Sequence, residues 1–450
     1  MAKDKLTDYD STASNNLDVG GISVAEGMLP SGVNNAIREQ MSHLADFAAG
    51  TSGVDVLKLQ DDTDTNSIKL QAPASVTATT TFTLPDGDGA SGQAMITDGA
   101  GTLSWAAPYG NRNLIINGAM QVAQRGTSAT VGPNGTGEGY TVVDRFLNSL
   151  NGSVVSTFTQ STDAPSGFAN SAKIEITTAD SSLGSTEFWH FRYSAEGQDL
   201  QSIAKGTSDA KAITLSFYVK SNKTGTYTVD LEDTNNSRIN ALAYTVDSAN
   251  TWERKTLTFN ADTSGAFTND NNLSLRINFW LCSGSQYQGG TFYNGTWGSD
   301  TDANRVHSNQ VNLGDTVGNE WYITGVQLEV GDTATPFEHR SYGDELARCQ
   351  RYFEKIEEKA FGAGVCEGSL FISYLPYATT KRANPTFSST TASSFFVWDG
   401  TGTRYATALT IGSTVNVNAA EVRVSVSGLT AGRAGVLNNA GGEITFDAEL

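Results

Sequence analysis

Ile213-Thr-Leu215-Ser-Phe217-Tyr-Val219 and Leu273-Ser-Leu275-Arg-Ile277-Asn-Phe279 decide the fold. In each, apolar residues alternate with polar ones, the period of a strand with one face in a core and one in water. The same alternation recurs in Ala172-Lys-Ile174-Glu-Ile176, Gly225-Thr-Tyr227-Thr-Val229-Asp-Leu231, Leu257-Thr-Phe259 and Val326-Gln-Leu328-Glu-Val330. Turn clusters such as Ser221-Asn-Lys-Thr-Gly225 and Asp262-Thr-Ser-Gly265 separate the runs, and no proline falls between Pro165 and Pro336 to interrupt a strand. Many half-buried strands with no helix between them predict a β-sandwich of jelly-roll type over residues 109–340.

Composition agrees with a mainly β protein. Hydrophobic residues make up 38 % of the 450 residues, charged residues only 17 %, and there are 46 glycines. At about 100–200 residues per domain the length predicts two to four domains. The 29 basic and 48 acidic residues leave a net charge of −19, with no basic cluster larger than pairs such as Lys381-Arg382. A duplex-binding protein needs a basic face to neutralise phosphates, so nucleic acid is not an expected partner, and neither is an anionic membrane surface. No apolar run reaches the ~18 residues of a membrane span, so no membrane insertion is expected. Met1-Ala-Lys-Asp-Lys-Leu-Thr-Asp8 lacks the apolar stretch of a signal peptide, which predicts synthesis in a cytoplasm without export by the usual route. Cys282, Cys349 and Cys366 form no paired motif and read as buried thiols.

Upstream of the sandwich the chain reads differently. Residues 1–30 are polar and extended. Val33, Ile37, Met41, Leu44 and Ala48 then step by one helical turn and make a single apolar stripe, predicting a helix over 31–50 with Ser31 as its cap and Gly50 as its stop. That stripe needs a partner, either a distant part of the chain or, on the sharper reading, other copies in a short coiled coil. Residues 51–108 are Thr- and Gly-rich, with strand-like Ile68-Lys-Leu70 and Phe82-Thr-Leu84 but too few large apolar side chains for a core. They read as a β-rich shaft whose edges are buried by intertwined partner chains.

Beyond the sandwich, Leu346, Cys349, Phe353 and Ile356 predict a second helix capped by Ser341 or Asp344, with Cys349 in its core face. Runs at 369–374, 394–398 and 422–426 return to strands, so 341–450 reads as a helix followed by a smaller C-terminal β domain.

Catalytic motifs are missing. With 48 acidic residues, some carboxylate pair always satisfies the spacing of a glycosidase, so spacing singles none out. Of the four histidines, His43 reads as a solvated helix residue, His339 as a surface residue of a polar linker, and His190 as structural; no GxSxG elbow is present. Asp62-Thr-Asp64-Thr-Asn66 and Asp300-Thr-Asp302-Ala-Asn304 begin like calcium loops. Neither has the glycine and glutamate an EF-hand requires, and both read as solvated turns. The Gly-rich stretch Gly126–Gly139 lacks GK[ST], opens no helix and is no phosphate cradle. No cofactor and no metal is expected.

One loop stands out: Ser285-Gln-Tyr287-Gln-Gly-Gly-Thr-Phe292-Tyr293-Asn-Gly-Thr-Trp297-Gly298. Sugar rings lie against aromatic faces while amides and carboxylates take the hydroxyls. Tyr287, Tyr293 and Trp297 are therefore candidate glycan-binding residues. The alternative is that Phe292 and Trp297 tuck under to cover an open end of the sandwich.

Several stretches together carry a resemblance. Asn113-Leu-Ile-Ile-Asn117-Gly118 with Gln124-Arg125-Gly126, Tyr140-Thr-Val-Val-Asp144-Arg145-Phe146, and Leu215-Ser-Phe217-Tyr-Val-Lys220-Ser221 resemble, in order, motifs of a domain common in bacteriophage tail fibers. Val326-Gln327-Leu328-Glu329-Val-Gly331, Pro336-Phe337-Glu338, Glu345-Leu346-Ala-Arg-Cys349-Gln350-Arg351-Tyr352, Arg382-Ala-Asn-Pro385-Thr386 and Phe446-Asp-Ala448-Glu449-Leu450 resemble its closing segments. Residues 66–106, and Asp8-Tyr-Asp10 through Met28-Leu-Pro30 to Arg38, are similar to shaft and anchor elements of fibers in short-tailed marine phages.

The resemblance implies a homotrimeric, non-enzymatic tail fiber in the virion tail, made in the host cytoplasm. Residues 1–50 would join tail adaptor or hub proteins, with Val33, Ile37, Met41 and Leu44 trimerising. The sandwich, similar to carbohydrate-binding modules, would bind host-surface polysaccharide or lipopolysaccharide. A purely structural adaptor or spacer is the alternative. A polysaccharide depolymerase is a further one, disfavoured because no β-helix coil repeat is found.

Overall fold

The computed structural model describes residues 8–10, 12–25, 27–49, 56–60, 67–71, 81–89, 94–97, 100–106, 111–133, 137–357 and 361–450. The chain divides into two compact units, Met1–Pro108 and Tyr109–Leu450.

In the first unit, a short hairpin joins β1 (Asp18–Val19) to β2 (Ile22–Ser23) ahead of α1 (Pro30–Ala48). Two further antiparallel hairpins follow, β3 (Val56–Gln60) with β4 (Ser67–Gln71) and β5 (Ala94–Thr97) with β6 (Leu103–Ala106). Pro30 opens α1 at the first helical position, where its missing N–H costs nothing. Leu29 occupies the N-cap with no side-chain cap, so Ser31 lies inside the helix rather than capping it. Gly50 and the Asp62–Asn66 turn lie outside the described residues. The apolar stripe is exposed: Val33, Ile37, Met41 and Leu44 are 43 %, 51 %, 64 % and 55 % exposed. His43, read as solvated, is instead buried: Tyr9 Oη lies 2.9 Å from its Nδ1, and Glu39, one turn back, 3.6 Å from its Nε2. Trp105 Nε1 donates to the Gly87 carbonyl at 2.7 Å and closes the Pro85–Gly89 turn.

In the second unit the alternating runs become two six-stranded antiparallel sheets. Their strands are β7 (Ser128–Val131), β8 (Phe146–Asn151), β9 (Val155–Ser161), β10 (Ser171–Thr178), β11 (Phe188–Glu196) and β12 (Ile213–Ser221). These are followed by β13 (Gly225–Asp233), β14 (Arg238–Val246), β15 (Glu253–Phe259), β16 (Leu273–Ser283), β17 (Gly298–Ser299) and β18 (Glu320–Val330). One sheet has the order β15-β12-β18-β10-β9-β7, the other β17-β14-β13-β16-β11-β8, so the chain crosses repeatedly between layers in the jelly-roll manner. Tyr227, Val229 and Leu231 face Leu215, Phe217 and Val219 across one core, joined by Phe191, Phe279 and Trp321. In β18 the inward residues change parity, from Trp321 and Ile323 to Val326 and Leu328. A bulge at Gly325, whose φ is +62°, makes the switch, and a Cβ there would strike Phe168 and Tyr218 at 2.8 and 2.9 Å.

After β18 comes α2 (Tyr342–Gln350), capped by Ser341 Oγ, which accepts from the Asp344 amide at 3.2 Å. The helix ends earlier than the apolar spacing predicts. Phe353 and Ile356 lie on β19 (Phe353–Glu357), because this segment pairs with the terminal strand of the chain rather than continuing the helix. The remaining strands are β20 (Gly362–Glu367), β21 (Leu370–Pro376), β22 (Thr386–Ser389), β23 (Phe395–Trp398), β24 (Thr403–Tyr405), β25 (Ala408–Val415), β26 (Ala419–Ser425), β27 (Ala434–Asn439) and β28 (Glu443–Asp447). They form a seven-stranded sheet, β24-β23-β27-β20-β21-β26-β25, and a small one, β19-β28-β22, over their own core of Phe371, Phe395, Val422 and Phe446.

A polar clasp joins this smaller β assembly to the sandwich. Arg145 is fully buried: it pairs with Glu449, donates to the Ser194 carbonyl at 2.6 Å, and lies 3.4 Å over the Tyr352 ring. Arg125 stacks 3.6 Å over Phe353 and reaches Asp447 and Glu449 at 3.1 and 3.3 Å. Arg382 donates to the Ala448 and Glu449 carbonyls at 2.8 and 3.1 Å. Asn117, at φ +61°, bonds both backbone groups of Val122 and the Asp144 carbonyl. Asn117, Arg125, Arg145 and Arg382 of the family-like motifs are therefore structural, and the cavity beside Asn113, Arg340 and Glu345 holds only about 10 Å³.

Candidate functional site

The outward face of the β13–β16–β11 strands carries the other large polar cluster of the sandwich. Because side chains alternate, turning Val229, Leu231, Ile277, Phe279, Phe191 and Tyr193 inward turns Asp230, Glu232, Arg276, Asn278, His190 and Arg192 outward. The register brings these into rows. Arg192 stands opposite Asn278, and Asn278 opposite Asp230; His190 stands opposite Trp280; Arg276 stands opposite Glu232.

Hydrogen bonds fix the array. Arg192 Nε donates to Asn278 Oδ1 at 2.6 Å, and Asn278 Nδ2 donates to Asp230 Oδ1 at 2.7 Å. Trp280 Nε1 donates to Asp230 Oδ2 at 2.6 Å, and Arg276 Nη1 to Glu232 Oε1 at 2.8 Å. From the segment above, Arg305 reaches Asp230 at 3.3 Å and Glu232 at 3.1 Å. Burial pushes the Glu232 carboxyl upward, but Arg305, Arg276 and Arg192 together outweigh it and hold it below the usual carboxylate range. Burial, then Arg192, Arg305 and Arg276, drives the His190 pKa well down, so this imidazole is neutral at pH 7. An arginine is always a donor, so the contact at 3.1 Å between Arg192 Nη2 and His190 Nδ1 leaves the ring proton on Nε2. That Nε2 is buried without a partner.

The aromatic loop runs over this face and its edge. Tyr287 packs against Trp280 and Phe188, with ring centroids 5.1 and 5.8 Å away, and is only 9 % exposed. Phe292 is half-buried against His307. Tyr293 lies over Gly298 on the edge strand, where its hydroxyl donates to the Ser299 carbonyl. Trp297 tucks against the main core, donates Nε1 to the Asn260 carbonyl at 2.9 Å and carries Lys205 5.0 Å above its ring. The structure does not gather the three predicted residues into one platform. Tyr287 anchors the loop, Trp297 covers the end of the sandwich, and Tyr293 and Phe292 keep part of their surface open. The Asp300–Asn304 turn is held by Arg305, 3.9 Å from both Asp300 and Asp302, and no group of three metal-ligating side chains stands together among the described residues. At the β8 end of the same sheet an open depression of about 510 Å³ is lined by Glu138, Asn151, Ser153 and Glu187.

The polar array was not singled out from sequence. Its residues occupy positions read only as the water-facing side of the alternating runs, yet Asp230 and Asn278 are fully buried, with Arg305 laid over Asp230.

No protein-family model matches the chain, and no curated protein matches it. Among solved structures, the enzymatically active domain of tailspike protein 4 of bacteriophage CBA120 is similar over 50 % of this chain at 12 % identity and a TM-score of 0.26. This chain spans 22 % of that one. The family 11 carbohydrate-binding module of a Clostridium thermocellum cellulosomal cellulase is similar over 45 % of this chain and 95 % of its own, at 12 % identity and a TM-score of 0.23. The C-terminal family 22 carbohydrate-binding module of Clostridium thermocellum Xyn10B is similar over 51 % of this chain and all of its own, at 10 % identity and a TM-score of 0.25. Likenesses this distant assign neither a family nor a ligand.

Proposed function

We propose that this chain is the subunit of a homotrimeric phage tail fiber that binds host-surface polysaccharide or lipopolysaccharide without cleaving it. The observation that carries the reading is the pairing, in one chain, of an exposed apolar helix with a sandwich bearing a pre-set polar array. Fully burying each of Val33, Ile37, Met41 and Leu44 contributes about 1.5–3 kcal/mol, and a second and third α1 offer matching stripes. Residues 1–50 then stand together for attachment to tail adaptor or hub proteins.

On the sandwich, donors and acceptors already locked by their neighbours meet sugar hydroxyls with little ordering cost. Tyr293 and Phe292 supply ring area at the edge, and Tyr287 holds their loop. Glycoside cleavage needs a carboxyl kept protonated near neutral pH. Glu232, in the polar array, is shifted the opposite way and so is not that acid.

Light scattering tests the assembly. The full chain should have three times the monomer mass, and Ile37→Asp with Leu44→Asp should reduce it to one while the melting of the second unit stays unchanged. A monomeric native chain overturns the fiber reading. The native trimer should also compete with virions for adsorption to host cells; failure to compete overturns the receptor reading and leaves a structural spacer.

A further inference from the structure

Charge balance on the outer face is uneven, and the imbalance sits on one residue. Arg305 and Arg276 are each paired with carboxylates of β13. Arg125, Arg145, Arg340 and Arg351 likewise have carboxylate partners, while the half-buried Arg382 is met by three backbone carbonyls. Arg192, half-buried at the centre of the face, has none within 4 Å among the described residues. Its Nε binds the neutral Asn278 amide, its Nη2 the neutral His190 ring, and its Nη1 takes no acceptor from the protein and is not sealed from solvent. Burial and then Arg276 press its pKa down against the opposing pull of Glu232 and Asp230 on β13. The neighbouring His190 Nε2 is a second donor, nine-tenths buried, with no acceptor.

We propose that Arg192 is the anion subsite of this face and takes the carboxylate of an acidic sugar, a uronic or sialic-type residue, in a surface polysaccharide. This rests on the glycan reading and narrows its ligand class. An arginine fork with one edge already fixed presents its free N–H groups for a carboxylate. The ligand is a monoanion, because Asp230 and Glu232, both on β13 two strands away, repel further negative charge. Glu232 and Arg276, which keep part of their surface open on the same face, take the hydroxyls around the acid group. In a chain of net charge −19 the attraction is local, so it depends on contact rather than long-range steering.

Calorimetry with trigalacturonate and sialyllactose, each beside its uncharged counterpart galactotriose and lactose, tests the subsite on the full chain. One acidic probe should bind at least tenfold more tightly than its neutral partner, and 0.5 M salt should narrow the gap. Arg192→Gln should erase the gap, bringing the acidic probe to the affinity of its neutral partner, and Arg192→Lys, which keeps charge without the fork, should retain part of it. Sulfated dextran should compete weakly, and tighter binding of sulfate than of carboxylate overturns the assignment. Equal binding of acid and neutral probes overturns the subsite but leaves the glycan reading standing. Binding of neither probe, nor of intact host polysaccharide, overturns both.

Discussion

The clasp and the outer face of the β11–β16–β13 strands are both polar clusters rich in arginine, yet they differ in how they are closed. In the clasp each arginine meets carboxylates or carbonyls from distant parts of the chain, and Arg145 is sealed under Tyr352. On the outer face the partners are near neighbours in the sheet, Arg192 meets no carboxylate, and His190 keeps an orphaned N–H. The first arrangement is what a fold needs to hold two β assemblies together. The second leaves the charge of Arg192 without a carboxylate partner among the described residues. Similar chemistry thus separates by whether each arginine meets a carboxylate rather than by whether every polar atom is bonded, since Arg145 Nε and Arg125 Nη1 are also buried without hydrogen-bond partners.

The sharpest way to break that contrast is to open the clasp. Arg145→Ala leaves Glu449 buried beside Asp144 with only Arg125 for counter-charge, and removes the cation over Tyr352. Breaking one side of a buried ion pair costs about 3–5 kcal/mol. Urea unfolding should show a loss of that size, with Trp fluorescence and far-UV circular dichroism parting company if the smaller β assembly separates first. A loss below about 1 kcal/mol would mean the clasp is not what joins the two.

His190→Phe works on the other side of the comparison and should have a smaller effect. Burying an unpaired N–H costs about 1–3 kcal/mol, but the substitution also strips Arg192 of its Nη2 acceptor. The two changes oppose each other, so stability should move by less than about 1 kcal/mol. Glycan affinity should fall because Arg192 loses its orientation. Destabilisation by several kcal/mol would instead make His190 a simple structural residue.

How much of this was legible beforehand follows from where each signal lies along the chain. The inward residues of β12, β13, β16 and β18 are spelled out by local alternation, and α1 by its stripe. The outer face was hidden because Arg192, Asn278 and Asp230 become neighbours only through the registers of β11, β16 and β13, which the hairpins and long crossovers set jointly. The same local reading misplaced Phe353 and Ile356 on a helix. Their spacing fits one, but pairing with β28 draws them onto a strand, where Phe353 serves Arg125 and Ile356 packs on the smaller β core. His43 was misread because Tyr9, the partner that covers it, lies 34 residues away. The family-like motifs were legible as motifs, yet their spacing could not tell a ligand site from a clasp.

The smallest expected effect is one of sign, in the response to acid. Glu232 has a folded pKa below that of a free carboxyl, so its stabilising contribution is complete above about pH 4.3 and disappears as pH falls through the lower folded value. Asp144 in the clasp shifts the other way. Burial raises its pKa against the pull of Arg125 and Gln124, so the folded state holds that proton more tightly than the unfolded chain. Falling pH therefore favours the folded clasp through Asp144 while it weakens the outer face through Glu232. Hydrogen exchange at pH 6 and pH 4, corrected for intrinsic rates, reads the two separately. Protection of the Asn278 and Arg276 amides on β16 should fall relative to that of the Gln124 amide, which donates to Asp144 at 3.0 Å. Parallel loss at both would mean that the two clusters open together, and the division between closed scaffold and open site would not extend to their energetics.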